Sequence, residues 1–484
     1  MLSTIKFSDI PSILRRENLI DAINFCQELS VRRIDLKKSS DIDEKESMDK
    51  LSPWFMAVFM NFAIAYCSYP VPKDNCQETF SKVISIIARQ ALDFQSSLES
   101  NERVYMPNYI GFIQRGQIEN RLFDIYRHKF YFNYNDLIVK TFLSKFKISY
   151  ERIFEFACFY YYCIEIKRID VLFNKIHHFK DVFDVFTIKA KEIKDKIIDC
   201  LKIESVENMI YYRFDDDLYS KPVLEINSRP YCPLYFLLYY AIGNILMYQF
   251  TRDDDDLHGK IGKEARENYL IKIVSENIKF DSIFTEKVLK ECHRNIGASD
   301  LAITLGNEVL FIESKSTSPN LDVINLDDGA IDEHIDLIAR HVRQIYNHMY
   351  RDCVVNKYYH SAFKMDYEKD NVYGIIVLRE FTFAKIEKIY DAASELIGIN
   401  DDDEMKKWMI NHIILLDINN FERLVFRRID LISFIKKIKV ESMNDIKGLN
   451  ERCFPTLEED IVSDDYLAFY NDLKNKTRNL IFGK

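Results

Sequence analysis

Glycine and proline are scarce in this chain of 484 residues, which contains 12 Gly and 10 Pro. So low a content excludes collagen-like and low-complexity chains and disfavours an all-β protein rich in turns. Basic residues are not in excess either, because 66 Lys and Arg stand against 76 Asp and Glu, and the net charge is −10. A globally basic nucleic-acid-binding protein is therefore excluded, and any contact with nucleic acid must come from local basic patches.

Zinc-ribbon, secretion and membrane signals are also missing. The 10 Cys form no C-x-x-C pair in this long chain, so they indicate reduced thiols and a cytoplasmic location. The first residues, up to Asn18, lack the apolar core of a signal peptide. One stretch, Tyr231–Phe250, has the length of a membrane span, but Pro233 and Gly243 interrupt it. We interpret it as a buried core helix and predict no membrane association.

The first part of the chain has the pattern of a helical domain. Hydrophobic residues make up 48% and charged residues 29%, and the length suits two or three domains. Residues 1–200 contain only Gly111 and Gly116, so helix should follow helix there. Apolar residues recur at helical spacing in Phe55–Ala65, Lys82–Leu92 and Ile153–Ile164. We predict a mostly α-helical domain over residues 1–215. We expect this domain to regulate the protein, to bind a partner protein or to form a homo-oligomer.

The pattern changes after residue 215. The segment KPVLEINSRPYCP predicts a short β-hairpin, and half of the glycines lie between Gly259 and Gly374, which indicates tight turns. Val372–Leu378 and His412–Ile418 are apolar on both faces, as buried strands are, and a helix is predicted between them. We expect an α/β domain over residues 216–440, with helices on both sides of a sheet, and a helical tail over residues 441–484.

A second predicted hairpin, ASDLAITL-GN-EVLFIESKS, carries charged groups at its open end. Its turn is Gly306-Asn307, and glycine first in a two-residue turn suits type II′ geometry. Asp300 stands six residues before the turn and Glu313 six residues after it, so the two carboxylates should face each other, about 5 Å apart at Cβ. Because side chains alternate along a strand, Lys315 should share the face of Glu313.

This arrangement suits phosphodiester hydrolysis. Two facing carboxylates repel each other unless a cation lies between them, and oxygen ligands favour a hard ion such as Mg²⁺ or Mn²⁺. Such an ion polarises a phosphate and acidifies water, and a lysine beside it can orient or deprotonate the attacking water. The alternative interpretation is a surface strand end with an ordinary Glu–Lys pair. Other acid-x-Lys triplets in the chain lack both the apolar run before Glu313 and an upstream acid in register.

These residues resemble the PD-(D/E)XK nuclease superfamily, which includes restriction endonucleases. Asp300 stands at the first acidic position, after Ser299 where the family often has proline, and Glu313-Ser314-Lys315 matches the E-x-K triplet. Glu267, in an E-x-Y segment on the preceding helix, matches a further glutamate of the family, with Glu264 as the alternative. The resemblance covers about Lys221 to Leu424 and implies a restriction-endonuclease-like mixed sheet flanked by helices.

The resemblance also implies a function. Asp300, Glu313 and Glu267 would bind one or two Mg²⁺ (or Mn²⁺) ions, and Lys315 would position the attacking water. These four residues would be the catalytic residues. The implied protein is a metal-dependent endonuclease, with DNA preferred as substrate and defence against foreign nucleic acid as its role. An RNase that uses the same site, or a non-catalytic scaffold with the nuclease fold, stays open.

The helix predicted after the hairpin, Ile331–Tyr350, carries a polar stripe beside its apolar one. His341, Gln344 and His348 lie along this stripe, and Arg343 lies near it. In the family this helix flanks the active site, so these residues are candidates for contact with the nucleic-acid backbone. The other interpretation is a solvated polar face.

Overall fold

A computed structural model shows a protein of the α/β class. It describes residues 6–37, 53–73, 76–99, 121–165, 177–203, 220–251, 254–292, 297–317, 328–380, 384–400 and 402–437, and a few single residues elsewhere. These residues form two compact units, which divide between Asp254 and Asp255. The predicted helical tail over residues 441–484 lies almost wholly outside the described residues.

The first unit is mostly helical. The three helices predicted from apolar runs are confirmed, as Pro53–Tyr66, Gln77–Glu99 and Tyr150–Glu165. Many of their apolar side chains are fully buried, which explains why the apolar residues recur at helical spacing. The other helices of this unit span Ile10–Leu14, Leu19–Lys37, Arg121–Phe132, Asp136–Phe146, Lys180–Val185, Ala190–Ile203, Tyr235–Tyr240 and Leu246–Thr251.

A small sheet also belongs to the first unit. The predicted hairpin is confirmed as β2 (Val223–Ile226) and β3 (Arg229–Tyr231), and β2 pairs in parallel with β1 (Thr187–Lys189). The division into domains differs from the prediction, which placed this hairpin in the second domain. Leu224 and Leu234 pack into the core of the N-terminal helices, so this segment belongs with them. The predicted boundary at residue 215 itself lies outside the described residues.

The stretch Tyr231–Phe250 is part of this core. Its leucines Leu234, Leu237 and Leu246 have no exposed surface, as the buried-helix interpretation predicts. None of the helices in the described residues is long and apolar enough to cross a membrane.

The second unit is built on a five-stranded sheet. Its strands are β4 (Ser282–Thr285), β5 (Leu301–Leu305), β6 (Glu308–Lys315), β7 (Val372–Leu378) and β8 (Ile413–Asp417). They lie in the order β4-β5-β6-β7-β8; the first three are antiparallel, and β6, β7 and β8 are parallel. β7 and β8 are buried along their whole length, which confirms the prediction of two buried strands. The helices of this unit span Asp255–Gly259, Arg266–Asn277, Glu286–Cys292, Asp328–Tyr346, His360–Phe363, Ile386–Ile397, Asp403–His412, Ile418–Phe426 and Leu431–Lys437.

The long helix Asp328–Tyr346 sets the position of several site residues. It packs against β6 and β7 through its predicted apolar stripe, of which Ile338, Val342 and Ile345 are fully buried. It continues as a π-helical segment over Asn347–Val355. Widened turns of this kind occur often at functional sites.

Gly374 lets the long helix approach β7 closely. A Cβ atom at Gly374 would lie 2.6 Å from Sδ of Met349 and 2.8 Å from Cδ1 of Ile345, closer than a Cβ atom approaches non-bonded atoms in proteins. We expect Gly374→Ala to lower the free energy of unfolding by about 1–3 kcal/mol, because the core is overpacked. Chemical denaturation measures this, and Gly259→Ala is the control, because nothing lies within 4 Å of its added Cβ. Equal stability of both variants and the wild type would contradict the close packing.

Candidate active site

The hairpin of β5 and β6 has the predicted register. Leu305 pairs with Glu308 beside the turn, and Leu301 pairs with Ile312 near the open end. Gly306 has a φ of 60°, as the first turn residue of a type II′ turn requires. One further step along this register would bring Asp300 opposite Glu313, and the charge of Glu313 does act on the pKa of Asp300.

Asp300, the residue before β5, is held in place by contacts with the backbone of β6. The hydroxyl of Ser299, a fully buried residue, donates a hydrogen bond to the Ile312 carbonyl at 3.0 Å. The amide of Ser314 in turn donates to Oδ2 of Asp300 at 2.7 Å. Burial and the nearby carboxylate of Glu313 together raise the pKa of Asp300 to about 7. The two carboxylates therefore repel each other when both are ionised.

Glu313 is fully buried and is held on one side by Lys315 and Gln344. Nζ of Lys315 lies 2.8 Å from Oε2 of Glu313 and 3.0 Å from Oε1 of Gln344. The amide nitrogen of Gln344 lies 3.4 Å from the same Glu313 oxygen. Lys315 and Glu313 thus share a face, as alternation along β6 predicts. Gln344 was predicted to lie beside the active site, and in the structure it also accepts a hydrogen bond from Lys315.

The other oxygen of Glu313 is available. Its Oε1 is buried and has no hydrogen-bond partner. A buried carboxylate oxygen without a partner is costly, and a bound cation would satisfy it. Magnesium uses one or two carboxylates and keeps several waters, so Asp300 and Glu313 fit such an ion. However, no three His, Cys, Asp or Glu side chains within the described ranges are grouped so that they could hold a metal ion.

Glu267 lies on the helix Arg266–Asn277 and affects the site through its charge. Burial raises its pKa, the carboxylates of Glu286 and Glu313 raise it further, and the ammonium groups of Lys263 and Lys315 oppose this rise. Its role as a third ligand stays a prediction. Glu264, the alternative, is exposed.

The polar stripe of the long helix points partly inward. Nε2 of His341 lies 2.8 Å from the hydroxyl of Thr317, and burial lowers the pKa of His341 to about 4, so this ring is neutral at pH 7. His348 is only 4% exposed and faces Glu313. Arg343 is exposed. Four residues of this stripe were predicted to contact nucleic acid. Among them, Arg343 is a cation whose side chain is exposed and can contact a phosphate.

Two residues near Glu313 escaped sequence analysis. Asp352 lies one helical turn after His348, at 4% exposure, and its Oδ2 is 3.2 Å from Nδ1 of His348. The hydroxyl of Tyr359 is 3.5 Å from the same nitrogen. The His-x-x-x-Asp spacing is the signal that could have indicated the first contact, because residues four apart share a helix face.

No protein-family model, curated protein or solved structure matches this chain.

Proposed function

We propose that this protein is a metal-dependent endonuclease that hydrolyses phosphodiester bonds, with DNA as the preferred substrate. The single observation that supports it most is the group at the open end of the hairpin, in which the charge of Glu313 acts on Asp300 and Nζ of Lys315 lies 2.8 Å from Oε2 of Glu313. The mixed sheet, with antiparallel β4–β6 and parallel β6–β8, is compatible with a restriction-endonuclease-like fold, which forms part of the proposal.

The acids of the site would hold the cation. Asp300 and Glu313 supply the ligands, and Glu267 adds negative charge nearby. Bound Mg²⁺ or Mn²⁺ supplies a Lewis acid that polarises the scissile phosphate and makes water more acidic. A bound cation would also offset the burial and the repulsion by Glu313 that together raise the pKa of Asp300.

Lys315 acts on the water and the phosphate. Its ammonium group is held between Glu313 and Gln344, with the side chain 15% exposed, so it can reach a substrate at the edge of the site. From there it donates a hydrogen bond that orients the attacking water and offsets the charge that develops on the phosphate. Attack by water cuts the bond directly, and no residue needs to form a covalent bond to the substrate.

The biological setting is proposed on the resemblance. A nuclease that carries a separate helical unit suits control by a partner protein or by self-association, and defence against foreign DNA in the cytoplasm is the role we propose. Net negative charge keeps the protein from binding bulk DNA non-specifically.

Cleavage assays test this function directly. The full chain is incubated with circular DNA, linear DNA and RNA of the same sequence, with Mg²⁺, with Mn²⁺ or with EDTA. We expect metal-dependent nicking or linearisation of circular DNA, which only an endonuclease produces. Cleavage of RNA alone would replace DNA by RNA in the proposal, and no cleavage of any substrate with either metal would favour a non-catalytic scaffold.

A further inference from the structure

His348 and Glu313 present two buried, unpartnered atoms to each other. Nε2 of His348 lies 3.6 Å from Oε1 of Glu313, and neither atom has a hydrogen-bond partner. Their side chains are 5% and 0% exposed. Two such atoms that face each other in a buried site are costly unless a proton on Nε2 or a bound cation lies between them.

Asp352 determines which ring nitrogen of His348 is free. Nδ1 of His348 lies 3.2 Å from Oδ2 of Asp352; in the neutral ring with its proton on Nδ1, this nitrogen donates to the carboxylate and the lone pair is on Nε2, which faces Glu313. A carboxylate behind a histidine ring is the usual arrangement around metal-binding histidines, because it fixes the tautomer and the ring orientation. The π-helical segment Asn347–Val355 carries both residues and places them there.

The ring also borders the segment that leads to Asp300. Cε1 of His348 would lie 3.8 Å from a Cβ atom at Gly297, three residues before Asp300. The imidazole thus lies beside the same end of the hairpin as the two carboxylates, on the side of Glu313 away from Lys315.

We propose that His348 is a nitrogen ligand of the metal ion that Glu313 binds, with Asp352 as its positioning residue. This inference rests on the proposed function and adds which kind of metal ion the proposed nuclease binds. Imidazole nitrogen is a poor ligand for Mg²⁺ and a better one for first-row transition metals, so His348 makes the site prefer Mn²⁺ over Mg²⁺. His348 would add one nitrogen ligand to the carboxylates of the proposed function, and water would complete the coordination.

Electron spin echo envelope modulation of Mn²⁺ bound to the full-length metal-free protein tests this directly. We expect modulation from an imidazole ¹⁴N nucleus in the wild type, its loss in His348→Gln, and its retention in the control His360→Gln, which changes an exposed histidine of the same unit. Bound Mn²⁺ without nitrogen modulation in the wild type would overturn the inference, and this reading needs no variant to fold.

Calorimetric titration gives a second, independent reading. We expect His348→Gln to weaken Mn²⁺ binding by about 10- to 100-fold, Asp352→Asn to weaken it within the same range, and Mg²⁺ affinity to change much less. Unchanged Mn²⁺ affinity in His348→Gln, with binding lost in Glu313→Ala, would show a proton rather than a metal between the two side chains. That outcome refutes the role of His348 and leaves the proposed nuclease standing, whereas no metal binding to the wild type refutes both.

Discussion

Lys315→Met is expected to reduce the rate of phosphodiester cleavage by about 10²- to 10⁴-fold, the range in which a positioned proton donor or acceptor contributes. Methionine keeps the length of the side chain and removes the ammonium group that Glu313 and Gln344 hold. Metal binding should persist, because the carboxylates stay in place. Single-turnover cleavage at saturating Mn²⁺ measures the rate, and calorimetry measures the binding.

The control for this variant is Lys279→Met, which changes an exposed lysine of the same unit. Its cleavage rate should equal that of the wild type. If Lys315→Met cleaves as fast as this control, the lysine has no part in the chemistry, and the ion pair with Glu313 is only structural.

Asp300→Asn is expected to have two opposite effects, loss of cleavage and a more stable metal-free protein. Asparagine can still accept the hydrogen bond from the Ser314 amide through its carbonyl oxygen, but it cannot repel Glu313 or bind a divalent cation well. The cleavage rate should fall by about 10³-fold or more. The free energy of unfolding at pH 8 should rise by an amount on the order of 1–4 kcal/mol.

The pH dependence identifies the cause of this stabilisation. The pKa of Asp300 is about 7 in the folded protein, whereas an unfolded chain has an aspartate pKa of about 3.9. A raised folded pKa means that the contribution of Asp300 to stability is lost as pH rises from about 4 to about 7. The stability difference between Asp300→Asn and the wild type should therefore widen over this window and stay constant above it.

Denaturant titrations at several pH values, without metal, measure this difference. Asp336→Asn, which changes an exposed acid of the long helix, should follow the wild type at every pH. A stability difference for Asp300→Asn that does not change with pH would show that its carboxylate is not destabilised by burial and by Glu313.

The hairpin site was predictable because its geometry is local. A two-residue turn that begins with Gly306 fixes the register of both strands up to the pair Leu301–Ile312, from which the position of Asp300 beside Glu313 follows. Alternation along β6 then places Lys315 without further information.

Other contacts depend on packing that one sequence does not reveal. His348 reaches Glu313 because the long helix lies close to β7 at Gly374 and widens into a π-helical turn, and neither feature has a clear sequence signal. The division into two units differed from the predicted domains for a similar reason. β1 has only three residues, and its pairing with β2 depends on contacts distant in sequence.

The most direct test of the site is cleavage of circular DNA by the wild type, Asp300→Asn and Asp336→Asn, prepared identically and assayed with Mn²⁺ and with EDTA. We expect the wild type and Asp336→Asn to cut at equal rates with Mn²⁺ only, and Asp300→Asn to leave the DNA intact. Equal cutting by Asp300→Asn and the wild type, or cutting that persists in EDTA, would show that the two facing carboxylates are not the catalytic centre.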